Sequence, residues 1–323
     1  MSCLYIDRKG LELELEAGTL ALRENGQLSG RVPLHMLEQV VVSAEVRLSS
    51  SLLAQLAHRG VITVLLASRS EAAAFVTGQN GRTGRRRLAQ YRAACDEPAR
   101  KRWASRTVEA KVRSEMRLLE FAAEERLTAR AAARAALGTL GQILEQLRGG
   151  SGLTMDQIRG LEGAAAAAYF QCLTELFPSS LGFQERNRRP PRDPVNAALS
   201  LGYTVLFGRA MRAVQEHSLD PYIGFLHDPA HGRPSLACDL MEPLRARIDR
   251  LVWDLFRQRV LRQEDFTSDQ GRCLMGKSAR REFYDRLEPV MEGAGRTLRR
   301  AVRTLVRSIE DEGGEAGMEN GEE

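Results

Sequence analysis

Cysteine is scarce in this chain and lysine scarcer. The five cysteines, Cys3, Cys95, Cys172, Cys238 and Cys273, are odd in number and include no C-x-x-C pair, which argues against a disulfide framework and against a structural zinc or iron–sulfur site. A reducing cytoplasm fits best. There is no long apolar run and no charged-then-apolar leader at Met1, so neither a membrane span nor a secretion signal is expected. A nucleotide-binding glycine loop is also missing. Only four of the 47 basic residues are lysine, Lys9, Lys101, Lys111 and Lys277. Arginine is the better bidentate phosphate ligand, although a codon bias toward GC gives the same skew.

What is present is ordinary for a globular protein: 323 residues, 43% hydrophobic and 28% charged, enough for two domains of roughly 150 residues each. The formal net charge is +5, but the last fifteen residues, IEDEGGEAGMENGEE, hold seven acids and no base, so the rest carries 47 basic against 35 acidic residues. That is the electrostatic footprint of a chain with a polyanionic partner.

The pattern of apolar residues predicts an α+β protein. From Cys3 to about Gly81 the period is mostly two, in CLYIDRKG, LELELEAG, TLALRENGQ, VVVS and VITVLLAS, with turn signals at Lys9-Gly10, Ala17-Gly18 and Asn25-Gly26. One helical pattern interrupts it, SSLLAQLAHRG, with Ser50 or Ser51 as N-cap and Gly60 as the stop. Residues 1–82 are therefore expected to form a small β-rich N-terminal domain. Residues 83–103, strongly basic, read as a linker to a larger all-α domain over 104–308, where helical periodicity holds. Residues 309–323 lack the apolar content to fold and are expected to be disordered. No internal repeat is visible.

The stretch GFLHDPAHGRPSLACDLMEPLR, Gly224 to Arg245, gathers metal-ligand residue types more densely than any other. His227 ends an apolar run. Pro229 and Gly232 make a continuous helix through His227 and His231 improbable, so this is not a zinc-binding H-x-x-x-H face, and His231 and Asp228 are left as loop residues. Asp239 and Glu242, three apart, share one side of a helix start; a capping arrangement, Asp239 as N-cap and Glu242 as its N3 acid, is the plainer alternative. Far upstream, Glu162 is the only acid between Asp156 and Glu175 and sits among Ile158, Ala165, Ala166 and Tyr169; such a carboxylate needs a cation, a donor or a metal, unless it simply reaches solvent. Carboxylates with one imidazole suit Mg²⁺ or Mn²⁺ better than structural zinc. In a basic helical domain that ligand set points to phosphodiester chemistry. Arg188, Arg189 and Arg192 of the non-helical run RNRRPPR, with Arg233, Arg245 and Arg247, are candidate phosphate contacts.

Three ordered segments, LEGAAAAAYF, RRPPRDPVNAALSLGYTVLF and DPYIGFLHDPAHGRPSLACDLMEPLRARIDRLV, resemble the CRISPR-associated adaptation endonuclease family, the universal spacer-acquisition integrase, over nearly the whole chain. The resemblance implies metal ligands at Glu162, His227 and Glu242, and Asp239 as the first member of an acidic pair important for activity. It implies that Asn196, Leu199, Ser200, Gly202 and Tyr203 support the core beside the active site. Leu244, Arg245 and Ala246 depart from the aromatic-Arg-Pro sequence that the family often shows after its acidic pair. A homodimer through the β-rich domains is implied, and so is a small ferredoxin-like adaptation protein as partner. The activity implied is insertion of short double-stranded DNA fragments into a CRISPR array, by attack of a 3′-hydroxyl on a phosphodiester at the repeat boundary. Two alternatives stay open: a metal-dependent nuclease of branched or repair DNA that does not integrate, and a non-catalytic DNA-binding scaffold in which Asp239 and Glu242 merely cap a helix.

Overall fold

The computed structural model describes residues 2–66, 73–78, 84–149, 152–187, 190–229 and 232–318. Strands β1 (Ser2–Ile6), β2 (Leu11–Glu16), β3 (Thr19–Glu24), β4 (Gln27–Pro33), β5 (Leu37–Val42), β6 (Arg47–Leu48), β7 (Ile62–Leu66) and β8 (Ala73–Val76) form two sheets, in the orders β4-β3-β2-β6 and β1-β5-β7-β8. In the first, β2, β3 and β4 are an antiparallel meander. Its hairpins close on Ala17-Gly18 and Asn25-Gly26, where all four residues have positive φ, the turn geometry that matches the right-handed twist of the flanking strands. In the second, β1, β5 and β7 run parallel and β8 returns antiparallel.

β5 is buried throughout, because it faces two cores. Val40 and Val42 join Ile6, Leu13, Leu20 and Leu52 in a small core of the N-terminal part, whereas Val41 packs with Ile62, Val64 and the helices that follow. Helix α1 (Ser50–His58) is capped by Ser49, whose hydroxyl accepts from Leu52 N at 3.1 Å; the cap lies one residue before the expected pair.

The C-terminal part holds α2 (Gly84–Cys95), α3 (Glu97–Glu125), α4 (Arg130–Gly149), α5 (Met155–Glu175), α6 (Pro194–Glu216), α7 (Ser235–Met241), α8 (Arg245–Arg257) and α9 (Lys277–Met318). α6 is its axis. Asp193 caps it by accepting from Asn196 N at 2.8 Å, with Pro194 at the first helical position. Two glycines then let it approach its neighbours. A Cβ on Gly202 would stand 2.5 Å from Ile248 of α8, and one on Gly208 would stand 2.4 Å from the Gln39 amide of β5. One residue on, Arg209 is held by Glu38 and, at 3.1 Å, by Glu288, which pins the sheet to the helices.

Three expectations change. The segment expected to be a basic linker is helical from Gly84 onward. Gln90 is fully buried and donates to Asp220 O (2.8 Å) and Ile223 O (2.7 Å), so this segment packs on the loop that carries His227. The helical region is interrupted by a hairpin, β9 (Phe266–Asp269) and β10 (Arg272–Met275), turning at Gln270-Gly271, both at positive φ. α9 continues past Ile309 to Met318, through residues expected to be disordered. No described helix is long and apolar enough to cross a membrane.

Candidate active site

The histidine loop is built around Asp239. Its carboxylate accepts from the backbone N–H groups of Phe225 (2.7 Å), Leu226 (2.9 Å) and His227 (3.2 Å), and from His227 Nδ1 at 2.6 Å. Since an acceptor-only carboxylate faces it, Nδ1 carries a proton, the arrangement found behind metal-ligating imidazoles. Gly224 is required at the foot of this loop, because a Cβ there would lie 2.6 Å from Asp239 Oδ2 and 2.8 Å from the Ser235 carbonyl carbon. Asp228 ties down the far side. Arg100 and, at 2.6 Å, Arg159 both grip it, and these bonds, the Arg100 one foremost, hold its carboxyl below the usual range.

Asp239 lies inside α7, whose N-cap is Pro234, and Glu242 opens the 3₁₀ turn Glu242–Leu244 that leads into α8. The capping alternative for this pair therefore fails: α7 begins before Asp239, and no side chain caps it.

Glu162, on α5, comes to Glu242 through a third residue that sequence reasoning did not single out. The Lys111 ammonium, on α3, contacts Glu162 Oε1 and lies 3.0 Å from Glu242 Oε2. Arg245 Nε donates to the other Glu242 oxygen at 2.9 Å. Burial alone would raise the Glu242 carboxyl, yet Arg245, Lys111 and His227 together outweigh it and hold the group down at about 2. The Lys111 ammonium is held protonated despite burial by Glu242, Glu115 and Glu162. Glu115, one turn along α3, is pushed up to about 8 by burial, only partly opposed by Lys111, and its Oε2 has no hydrogen-bond partner among the described residues.

Behind this centre, Asp249 of α8 accepts from Tyr169 OH at 2.6 Å and from Tyr203 OH. Burial lifts its carboxyl to about 6 against the pull of those two hydroxyls. Asn196 accepts from Arg186 (2.6 Å) and from Asn187 N (3.1 Å), and Ser200 accepts from Arg186 (3.0 Å). Arg245 and Arg186 both lie over the Tyr203 ring, at 4.7 and 5.3 Å from its centroid.

The arginines expected to meet phosphate divide accordingly. Arg245 is turned inward to Glu242; Arg192 and Arg247 are exposed; Arg188 and Arg189 lie outside the described residues, as does His231. Lys111 and Glu115 carried one signal. They fall on the buried stripe of α3 with Ala104, Val108, Val112, Leu118 and Leu119, where charge is out of place without a partner.

The donor set has the chemistry of a hard divalent-cation site: two carboxylates from different elements converge on one positive group, next to an imidazole whose tautomer is set. The positive group is the Lys111 ammonium. Among the described residues no three His, Cys, Asp or Glu side chains are drawn together closely enough to enclose an ion.

Fold and site together define a class: α+β proteins with strands at the N-terminal end and a partly buried carboxylate–imidazole centre among the helices. Residues 4–289 match the family model of the CRISPR associated protein Cas1, and the chain belongs to that family. A CRISPR-associated endonuclease Cas1 of Thermodesulfovibrio yellowstonii is 32% identical, covering 97% of this chain and 98% of the relative. One from Rhodospirillum rubrum is 36% identical over 87% of this chain and 83% of its own. Among solved structures, a Cas1 protein from Thermotoga maritima superposes with a TM-score of 0.83 at 19% identity, over 96% of this chain and 97% of that one. A casposase bound to its integration product gives 0.82 at 19% identity, over 97% and 91%.

Proposed function

We propose that this chain is a divalent-metal-dependent DNA endonuclease and integrase of CRISPR adaptation, inserting short DNA fragments into a CRISPR array by attack of a 3′-hydroxyl on a phosphodiester. The observation that carries this reading is the convergence of Glu162 and Glu242 on one cation beside His227, in a member of the Cas1 family. Curated relatives named as endonucleases support the nuclease part, and a casposase neighbour caught with an integration product supports the joining part.

Glu162, His227 and Glu242 would hold Mg²⁺ or Mn²⁺, which when bound polarises a phosphodiester and lowers the pKa of the attacking hydroxyl or water. The chain's own residues prepare the place. Asp239 holds His227 with Nδ1–H toward itself, which leaves Nε2 as the ring nitrogen that would meet a metal. Arg245 and Lys111 keep Glu242 ionised in a buried position. Lys111 holds the two carboxylates together and balances their charge. Arg100 and Arg159 fix the loop through Asp228, keeping the imidazole from drifting.

Double-stranded DNA and a second copy of the chain are the proposed partners, together with a small ferredoxin-like adaptation protein. A solved Cas6-RT-Cas1–Cas2 complex and a solved Cas1–DNA complex of similar fold support that assembly. The test supplies the full chain, the small partner and Mn²⁺ with a fragment bearing free 3′-hydroxyls and a repeat-containing target. Covalent joining of fragment to target is expected. Hydrolysis without any joined product would leave only the branched-DNA nuclease, and neither product would leave a non-catalytic scaffold.

A further inference from the structure

α9 has a feature that the carboxylate centre does not use. From Gly293 to Ile309 it contains five arginines and no acid, and the helix sorts those arginines by direction. Arg299 turns inward, 3.6 Å from Glu38 of the sheet. Arg296, Arg300, Arg303 and Arg307 are spaced four, three and four, which places them in one line along the helix. All four are exposed. Among the described residues none of their side chains forms an ion pair or hydrogen bond. Glu292 bounds the line at one end, and Glu310, paired with Arg86, at the other.

The line reaches toward the candidate active site through α8. Arg247, two residues after the Glu242 partner Arg245, donates to Thr297 Oγ1 at 3.3 Å. A methyl group on Gly293 would sit 3.7 Å from Arg247 Nη1 and 4.0 Å from Arg296 Nη2, so the two guanidinium groups share one patch of surface. Arg117 of α3 adds a third; burial first, and then Arg117, makes the charged form of Arg247 harder to hold. Like charges held together without a carboxylate between them are relieved by an arriving anion.

The shape of the line indicates which polyanion. Eleven residues of helix separate Arg296 from Arg307, about 17 Å, a length over which a DNA duplex presents roughly ten phosphate charges. No aromatic residue lies between Gly293 and Ile309, whereas single-strand sites depend on aromatic stacking. Guanidinium groups meeting phosphates fix position without reading sequence.

We propose that Arg296, Arg300, Arg303 and Arg307 of α9, extended by Arg247 and Arg117, form a docking track for the phosphate backbone of duplex DNA that leads away from the carboxylate centre. It rests on the DNA reading above and adds where the duplex lies. The chain thereby grips DNA along a helix remote in sequence from its metal-ligand residues.

The test is fluorescence anisotropy of a 30-base-pair duplex of arbitrary sequence, with the full chain, in EDTA, across 50–200 mM KCl. It compares wild type with Arg296→Gln/Arg300→Gln/Arg303→Gln/Arg307→Gln and with a charge-matched control, Arg8→Gln/Arg31→Gln/Arg47→Gln/Arg59→Gln. Each lost phosphate contact lowers the slope of log K against log salt by about 0.9. The α9 variant should therefore lose about 3.6 from the slope, and wild-type affinity should fall on the order of 100-fold further than the variant's across that salt range. The control should keep the wild-type slope, and a circular dichroism melt should show the α9 variant folded. An unchanged slope in the α9 variant, as expected if the line receives an acidic protein segment, overturns the track. An equal loss in the control reduces the effect to net charge and overturns it too. If wild type itself shows no salt-dependent duplex binding, the DNA reading beneath it fails as well.

Discussion

In the centre where α3, α5 and the α7–α8 junction meet, Lys111, Glu162, Glu242 and Arg245 each touch an opposite charge. Along the outer line of α9, Arg296, Arg300, Arg303 and Arg307 touch none among the described residues, and all are exposed. The difference follows from solvent. A buried charge without a partner costs several kcal/mol, whereas an exposed one is hydrated and stays available. Buried charges here define a geometry, and exposed ones define a surface. A chain with the same net charge but the two arrangements exchanged would have neither a closed centre nor an open track.

The comparison breaks most severely at Lys111. Lys111→Met leaves Glu162 facing Glu242 with no cation between them, a loss of about 3–5 kcal/mol for removing one partner of a buried charge set. The melting temperature of the variant should fall markedly in EDTA, and Mn²⁺ should raise it further than it raises that of wild type. A variant that melts low and is not rescued by Mn²⁺ would show that Lys111 does not stand in for a divalent ion.

A smaller effect is expected one layer out. Asp239→Asn places an amide NH₂ or a lone carbonyl where three backbone N–H groups and His227 Nδ1 now donate. Loss of a carboxylate behind a ligating histidine typically weakens metal affinity 10–100-fold. Calorimetric titration with Mn²⁺ checks this; affinity within twofold of wild type would remove Asp239 from any part in orienting the imidazole.

The smallest effect depends on pH. Glu115 has its folded-state value raised from 4.5 to about 8 by burial, so its proton stabilises the fold below pH 4.5, and that contribution is lost as pH rises through about 8. Glu115→Gln removes the titration. The variant should match wild type near pH 4.5 and melt a few degrees higher above pH 8. Melting curves that differ by the same amount at both ends would assign Glu115 a role independent of its charge.

How far the sequence carried each conclusion depended on how local its signal was. The hairpins at Ala17-Gly18 and Asn25-Gly26 were legible because two adjacent residues with positive φ define them. His227, Asp239 and Glu242 were legible because they fall within one short stretch, and Glu162 because it is a lone acid among alanines. Lys111 lies in a helix that only its periodicity announces, so its meeting with Glu162, 51 positions away, followed only from the fold. Arg245 was misplaced because the direction of a side chain at a helix start depends on the 3₁₀ turn before it, which spacing does not reveal. The helical segment from Gly84 to Trp103 was masked by its arginines. What orders it is a sparse set of small or polar contacts, Gln90, Ala93 and Ala99, that no hydrophobic period announces.

The central claim, that Glu162, His227 and Glu242 together form a divalent-cation site, is most directly tested by titrating Mn²⁺ into wild type and into Glu162→Gln, His227→Ala and Glu242→Gln separately, in the absence of DNA. The account predicts one Mn²⁺ per chain in wild type and an affinity at least about tenfold weaker in every variant. Wild-type affinity retained in all three would contradict it.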